Sequence, residues 1–480
     1  MSMRKDSRPL RSIPMTSGTW ARPVAAGNPA GSDGCVGHDP GYNLLRVGEK
    51  VIHGMTSNAS RDGAPMVRDV LWHGGRPPVS LATPASAVPG RVDAAVVGAG
   101  LTGLSAALTL AEAGLSVAVF EAGTAGDGAS GRNGGQVLTG VNPLFQDLIR
   151  LEDEERARAR YRAGDRAVDE VAELVARLEI RCDFHRGGHL AVALDRVRLQ
   201  ALERDARLLA SPAQMLDRRE VEARIGFGGY LGGLFDPRSA TANPYALTLG
   251  IGRAAVLAGV HIVEHARVEI KSASGHQVIA GAGRPVRADR ILLATNGFLP
   301  ESIPSLRLRM RRVYGTVVAT APLDADLQLR VLPGRPAVFE ESDRYTHFQR
   351  TADGRLVFGG RAEGGPDGPE GVARLLKTLM ADLPHKGVEV PTYWTGPLGI
   401  TGSGLPAWGE TPAGVIWVGG YSGHGVALSV LMGIALGRYL AFSELPQWPR
   451  GLSPAVGFSD RTPRSFRPSA GRPARYAFLR

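Results

Sequence analysis

Six residues, Gly98-Ala99-Gly100-Leu101-Thr102-Gly103, form the first spacing along this chain that could do chemistry. They follow a nearly continuous apolar run, Val92–Val97, and open a small-residue stretch at Leu101–Ala113. Between a strand and a helix, the first glycine permits the tight turn and the second lets backbone approach a pyrophosphate. The third lets helix and strand pack closely. The free N–H groups and positive dipole end of the helix start then face the phosphates. A second strand, Val117–Phe120, ends at Glu121, 21 residues after Gly100, with Ala122 next to it. An acid at that place can hold a ribose hydroxyl pair, and Glu rather than Arg or Ser disfavours a 2′-phosphate.

Two further loops are made almost wholly of small residues. Gly126–Gln136 reads GDGASGRNGGQ, which builds no core and suits backbone lying against a flat ring system; Arg132, Asn133, Gly134 and Gly135 are its chemistry-bearing part. Gly419–Ala427, GGYSGHGVA, again joins a strand to a helix, and a helix start suits a developing negative charge. Tyr421 and His424 sit in that third loop.

These loops need a frame. Val92–Val97 is apolar except for Asp93, as a strand buried on both faces should be. Strand, helix and parallel strand in succession imply a doubly wound sheet. Leu144–Leu178 carries charge at helical spacing and predicts one or two amphipathic helices. Leu190–Leu194, Val260–Val263, Ile291–Ala294, Arg312–Ala319 and Val415–Val418 read as strands. Asp195–Leu209, Ala246–Ala258, Val372–Leu383 and residues 425–442 read as helices. His347–Phe358 reads as a hairpin around Asp353-Gly354. With parallel βα segments at both ends and an antiparallel stretch between, the pattern predicts an α/β chain with a discontinuous Rossmann-like nucleotide domain and an interleaved antiparallel-sheet substrate domain. Residues 66–145, 240–305 and 393–444 are assigned to the first, 146–239 and 306–392 to the second. Residues 1–65 read as a disordered extension and 445–480 as a basic, poorly ordered tail.

Composition narrows the function classes. Of 480 residues, 43% are hydrophobic and 21% charged, the balance of a globular protein. The longest apolar-looking stretch, Val96–Phe120, is broken by eight Gly, Ser or Thr residues and one Glu, so no membrane span is expected. Cys35 and Cys182 give neither a disulfide framework nor a metal-ligand spacing, which fits a cytoplasmic setting and no metal. The net charge of +10 resides at the ends. Residues 1–60 hold seven Lys/Arg against four Asp/Glu and residues 445–480 seven Arg against one Asp, leaving +1 for the body. A nucleic-acid surface would put its basic stripe on the fold itself, so no specific nucleic-acid partner is expected.

Taken together, VVGAGLTGLSAALTLAEAG…VFEA, GASGRNGGQV, ILLATNG at 291–297, GRLVFGGR at 354–361 and GYSGHGVAL at 420–428 carry a resemblance. The chain resembles the FAD-dependent oxidoreductases of the D-amino-acid-oxidase-like superfamily, and within it the glycine/sarcosine oxidase and gamma-glutamylputrescine oxidase branch. The likeness runs from about residue 68 to 442. It implies FAD and oxidation of a small-molecule amine or amino acid, with O2 or another electron acceptor. By this resemblance Gly98 to Gly103 hold the pyrophosphate, Glu121 and Ala122 the ribose side, and the backbone of Val268 the adenine. Arg132, Asn133 and Gly134 lie by the isoalloxazine, and Gly135 and Gly297 also belong to the cofactor site. Gly423, His424, Gly425 and Val426 cap its pyrimidine end. Arg350 matches a position that anchors a substrate carboxylate, and Tyr314, Tyr345 and Tyr421 offer aromatic walls.

Three departures stand out. The C-terminal half has no cysteine, so a cysteinyl flavin link is impossible and the FAD is non-covalent. The acid usual before the stretch Ile400–Pro406 is missing, and the tail after 445 does not match the family's closing helix. Two other classes stay open at this point: a flavin-dependent RNA-modifying enzyme, and a non-catalytic flavoprotein subunit of a larger complex.

Overall fold

A run such as Val92–Val97 has no polar face to give to water, so its strand must lie inside a sheet with both faces covered. The computed structural model describes residues 67–209, 212–273, 276–280, 284–298, 310–341, 346–361 and 388–444, with single helical residues at 372, 375 and 377. The expectations for residues 1–65 and 445–480, for Tyr345 and for most of Val372–Leu383 lie outside the described residues.

Followed along the chain, two sheets are built alternately. β1 (Arg91–Val97) and β2 (Val117–Phe120) pair in parallel, from Ala94 opposite Val117 to Val97 opposite Phe120. The chain then leaves for β3 (His189–Ala193), β4 (Gln214–Asp217) and β5 (Gly232–Asp236) of a second sheet. It returns with β6 (His261–Val263), parallel to β2, and β7 (Val286–Leu293), parallel to β1. A second excursion makes β8 (Met310–Ala319), β9 (Ala337–Glu341), β10 (His347–Arg350), β11 (Leu356–Arg361) and β12 (Thr392–Thr401). Finally β13 (Val415–Gly419) comes back beside β7.

The parallel core therefore runs β6-β2-β1-β7-β13, and its order reverses between β1 and β7. In open α/β sheets the crevice at such a reversal, beyond the carboxyl ends of the strands, is where ligands bind. The second sheet runs Val67–Arg68, β12, β8, β11, β10, β9, β3, β5, β4. It is antiparallel except where Val67–Arg68 meets β12 and where β9 meets β3. The expected boundary at 393 falls inside β12, which pairs with β8 from Met310–Thr401 to Ala319–Thr392 and so belongs to the second sheet. The reason is length: ten continuous pairs outweigh the nearness of β12 to the nucleotide segment in sequence.

Helices α1 (Leu101–Glu112), α2 (Ala129–Arg132), α3 (Glu154–Arg177), α4 (Pro244–Leu257) and α5 (Val426–Phe442) frame the crevice. The charged stretch after Leu144 is two helices, Phe145–Leu151 and α3, parted where the Asp153 side chain caps the Arg156 N–H at 2.8 Å. Helices α1 and α5 touch through small residues. A Cβ on Gly433 would lie 2.8 Å from Ser105 Cβ, and one on Gly437 would lie 2.8 Å from Thr109 Cβ. Contacts that advance together along both helices mean the two run parallel, so both N-termini open at the same end. No described helix is long and apolar enough to cross a membrane.

Candidate active site

The phosphate turn is fixed by backbone sterics. Gly98 has φ +105, and a Cβ there would lie 2.8 Å from the carbonyl oxygen of Ala294, at the end of β7. A Cβ on Gly103 would overlap the carbonyl oxygen of Gly98. Only glycine lets α1 start this close to β1 and leave the crevice open. First-turn N–H groups have no intrahelical acceptor. That of Leu101 donates to Ser130 Oγ at 2.9 Å, which ties the turn to α2.

Glu121 stands at the lip of the crevice. One carboxylate oxygen accepts from Ala99 N at 2.8 Å and the other from Gly123 N at 2.8 Å. Each oxygen keeps a further lone pair for a hydroxyl donor. The N–H of Ala266 donates to the Glu121 carbonyl at 2.7 Å, which brings the segment bearing Val268 alongside. A carboxylate that sequence reading missed, Glu264, is buried behind it. It accepts from Ser80 Oγ, Leu81 N and Ala125 N at 2.5, 3.0 and 2.9 Å, stitching the 80–83 segment to the loop after Glu121.

The 132–135 loop is held from outside itself. Trp72 Nε1 donates to Asn133 O at 2.8 Å, Trp394 Nε1 to Arg132 O at 2.9 Å, and Gln349 Nε2 to Gly134 O. With three successive carbonyls engaged, the backbone groups left for a ligand are N–H donors. The two side chains are spent locally. Arg132 donates to the carbonyl and carboxylate of Asp127, both at 2.6 Å, while Asn133 Nδ2 reaches the carbonyls of Ala129 and Ser130 at 3.0 and 2.9 Å. Asn133 Oδ1 accepts from Gly135 N at 2.8 Å. Gly134 rests on the His347 ring: a Cβ there would lie 2.9 Å from His347 Cδ2 and Nε2. His347 is a second residue that sequence reading missed.

The third loop is pinned to both sheets. Gly420 N donates to Asn296 Oδ1 at 2.8 Å and Ser422 N to Gly399 O at 2.9 Å. Gly297 packs against β12, where a Cβ would come within 3.2 Å of Leu398 O. Tyr421 is buried, with its hydroxyl 2.8 Å from Thr102 Oγ1, so it braces the start of α1 against this loop and forms no wall of the site. Burial pushes its phenol well above the usual range. His424 Nε2 lies 2.9 Å from Thr139 O; burial pushes its imidazole down to about 4 despite the Thr139 and Leu138 carbonyls, so it is uncharged at neutral pH.

Arg350 is not brought to this place. Strand alternation puts His347 and Gln349 on the face that meets Gly134, and Phe348 and Arg350 on the other. The Arg350 guanidinium is buried and donates to the carbonyls of Val331, Leu332 and Pro333 at 3.0–3.3 Å. Its Nε and Nη2 tie β10 to the turn after Ala325–Arg330 and its strand face is turned from Gly134, so the expectation of a carboxylate anchor at Arg350 fails on geometry. Tyr314, by the same alternation, shares the face of Val318, which packs in one buried cluster with Phe348 on the side away from Gly134.

Comparison with known proteins follows the same outline. The family described as FAD dependent oxidoreductase matches residues 93–439. Gamma-glutamylputrescine oxidoreductase of Escherichia coli (strain K12) is 32% identical over 375 residues, 74% of this chain and 87% of that one. A probable oxidoreductase, OrdL, of Haemophilus influenzae is 31% identical over 352 residues, 71% of this chain and 81% of that one. The crystal structure of glycine oxidase from Geobacillus kaustophilus superposes with a TM-score of 0.65 at 22% identity, covering 76% of this chain and all of that one.

Proposed function

For a chain that belongs to the family of FAD-dependent oxidoreductases, as this one does, we propose oxidation of a substrate C–N bond to an imine, which water then hydrolyses. FAD is its cofactor, and its substrates are of the amine or amino-acid kind. The residues present fit that group. The crevice at the order reversal is floored by glycine backbone, Glu121 offers hydroxyl acceptors, and the 132–135 loop offers N–H donors to the acceptor-rich edge of a flavin.

In this reading Gly98 to Gly103 hold the pyrophosphate at the α1 start, and Glu121 with the Val268 segment holds the adenosine. The 132–135 and 420–425 loops flank the ring. FAD, when bound, takes up the hydride that leaves the amine-bearing carbon. The chain's own task is positioning and exclusion of water. His347 and Gln349 supply the sheet face opposite the ring, and His424, uncharged, lies at the ring's pyrimidine end.

The observation that carries the reading is convergence. Two parallel helix starts open at one end of the parallel sheet, and beside them a loop stripped of free carbonyls meets one face of the second sheet. Because Arg350 is turned away, a substrate recognised by its amine fits this face better than one held by an α-carboxylate at β10. The purified protein, yellow with FAD, is to be mixed anaerobically with a panel of amines, N-acylated diamines and amino acids. Bleaching by at least one amine is expected. A flavin that no member of the panel reduces marks a non-catalytic flavoprotein and overturns the reading. Readmitting oxygen then separates oxidase from dehydrogenase.

A further inference from the structure

Behind the 420–425 loop runs a line of polar groups with no part in holding phosphate or ribose. It begins at His424, whose Nε2 lies 2.9 Å from the carbonyl oxygen of Thr139. A carbonyl only accepts, so Nε2 must carry the proton, and in the uncharged ring Nδ1 is then the acceptor. Thr139 is held in turn. Its Oγ1 donates to Asp236 Oδ2 at 2.9 Å, and its N–H donates to Ser239 Oγ at 3.1 Å.

Asp236 is locked by Arg238. The Arg238 N–H and Nε reach Asp236 Oδ1 at 3.0 and 2.9 Å, and one terminal nitrogen reaches Oδ2 at 2.6 Å. The other terminal nitrogen donates to Asp165 Oδ2, on α3, at 2.7 Å. Burial pushes Asp236 up, but the hydrogen bonds and charge of Arg238 outweigh it and hold the carboxyl below its usual range. A Cβ on Gly164 would overlap the Gly140 carbonyl, so α3 bears directly on the backbone next to Thr139. The line Asp165–Arg238–Asp236–Thr139–His424 thus joins α3, the turn after β5, the 138–140 loop and the 420–425 loop.

A buried imidazole has two tautomers and can flip about its χ2 axis, and a surrounding group must select one state. Burial alone selects only the uncharged form. Two backbone carbonyls act on the His424 ring, those of Thr139 and Leu138. We propose that Thr139, Asp236 and Arg238 are positioning residues for His424: they fix the Thr139 carbonyl 2.9 Å from Nε2, and that carbonyl keeps the imidazole in its Nε2–H tautomer, with Nδ1 as the acceptor. This rests on the reading that sets the 420–425 loop against the flavin. Outer partners of this kind orient a working imidazole without touching the reacting atoms.

The test uses the FAD-loaded full chain. Thr139→Val keeps the shape and the backbone carbonyl and loses only Oγ1; Thr139→Ser puts the hydroxyl back. Thr139→Val is expected to shift the visible flavin band and to slow anaerobic flavin reduction by the best amine about tenfold, with KM changed less than about twofold. Thr139→Ser restores both. In a His424→Ala background Thr139→Val adds nothing, because the line ends on the missing ring. A Thr139→Val variant that only melts earlier, with band and rate intact, overturns the proposal. So does a Thr139→Val effect that adds in full to that of His424→Ala. A His424→Ala variant with an unaltered band and rate overturns the placement of the loop as well, which tells that failure apart from the other two.

Discussion

Ala99 in the Gly98–Gly103 turn and Asn133 in the 132–135 loop are both backbone of the proposed dinucleotide site, and they hang on different parts of the chain. Around Ala99 the hydrogen bonds to backbone N–H groups come from near in sequence, from Glu121 at the end of β2 and Ser130 on α2, and only packing against Ala294 and the Tyr421 brace on Thr102 reach in from afar. Around Asn133 those to backbone carbonyls come from far away, through Trp72, Gln349 and Trp394. In the proposed site the phosphate grip is thus built mainly from one βαβ unit, with Ala294 and Tyr421 closing on it from the rest of the parallel-sheet layer, whereas the ring grip needs both sheets in place. A fold built this way can hold the cofactor's position constant while the second sheet varies what is brought to the ring.

The comparison breaks most sharply at Gly103. Gly103→Ala puts a methyl into the Gly98 carbonyl and within 3.2 Å of Val96 Cγ1, so α1 must lift off β1. Overpacking against backbone costs about 3 kcal/mol or more. The expected outcome is loss of FAD, read as visible absorbance per mole of protein, together with a lower Tm. An alanine variant that stays yellow would show that the turn is looser than its geometry.

Acid should separate the two ends by charge. His424 at the ring end, and His189 on β3, have imidazoles lowered to about 4. For His189 the causes are burial first and then His424, with Asp236 opposing. A histidine whose folded value lies below its unfolded 6.5 contributes stability above 6.5, and that stability is lost as pH falls toward the folded value. The window is therefore pH 6.5 to about 4, with a ceiling on the order of 3 kcal/mol per imidazole. Urea unfolding at pH 7 and pH 5 is expected to show a large loss for the natural chain and a smaller one for His189→Gln. Equal losses in both would remove His189 from the account.

Locality also decided what could be read from the residues alone. β1, the turn, α1 and β2 are contiguous, so pattern and spacing place them to within a residue or two. The β10–β11 hairpin was legible from Asp353-Gly354, but its facing was not. Whether Gln349 or Arg350 looks toward Gly134 depends on the register of β10 with β9 and β11, one residue of phase that no local signal carries. Arg350 drew attention by residue type, and Gln349 held the position. Trp72 and Trp394, 322 positions apart, bracket the same two carbonyls and give no hint of it in sequence.

Arg350→Met tests that phase directly. The buried Val331 carbonyl loses its donor, whereas that of Leu332 keeps the Arg335 N–H at 2.8 Å and Pro333 is exposed to water; leaving one buried carbonyl unpaired costs about 2 kcal/mol. Tm should fall by several degrees while KM for the best amine and the flavin spectrum stay as they were. A steep rise in KM with an unchanged Tm would return Arg350 to the substrate.

The smallest expected effect is the most informative about the ring grip. Trp394→Phe keeps an aromatic ring edge-on to Trp72, whose centroid lies 6.3 Å away, and removes only the N–H that holds the Arg132 carbonyl. One neutral hydrogen bond contributes about 1 kcal/mol. FAD should remain bound, since the phosphate turn is untouched, and Tm should move by only a few degrees. The freed carbonyl loosens the loop that presents N–H groups to the ring, so the visible band should shift and anaerobic reduction should slow by about fivefold. Trp72→Phe, at the neighbouring carbonyl, should act in the same direction, and the double variant should show less than the product of the two, because both indoles steady one short stretch of backbone. Independent, fully multiplicative effects would mean that the two carbonyls are held separately and that the loop is not one unit.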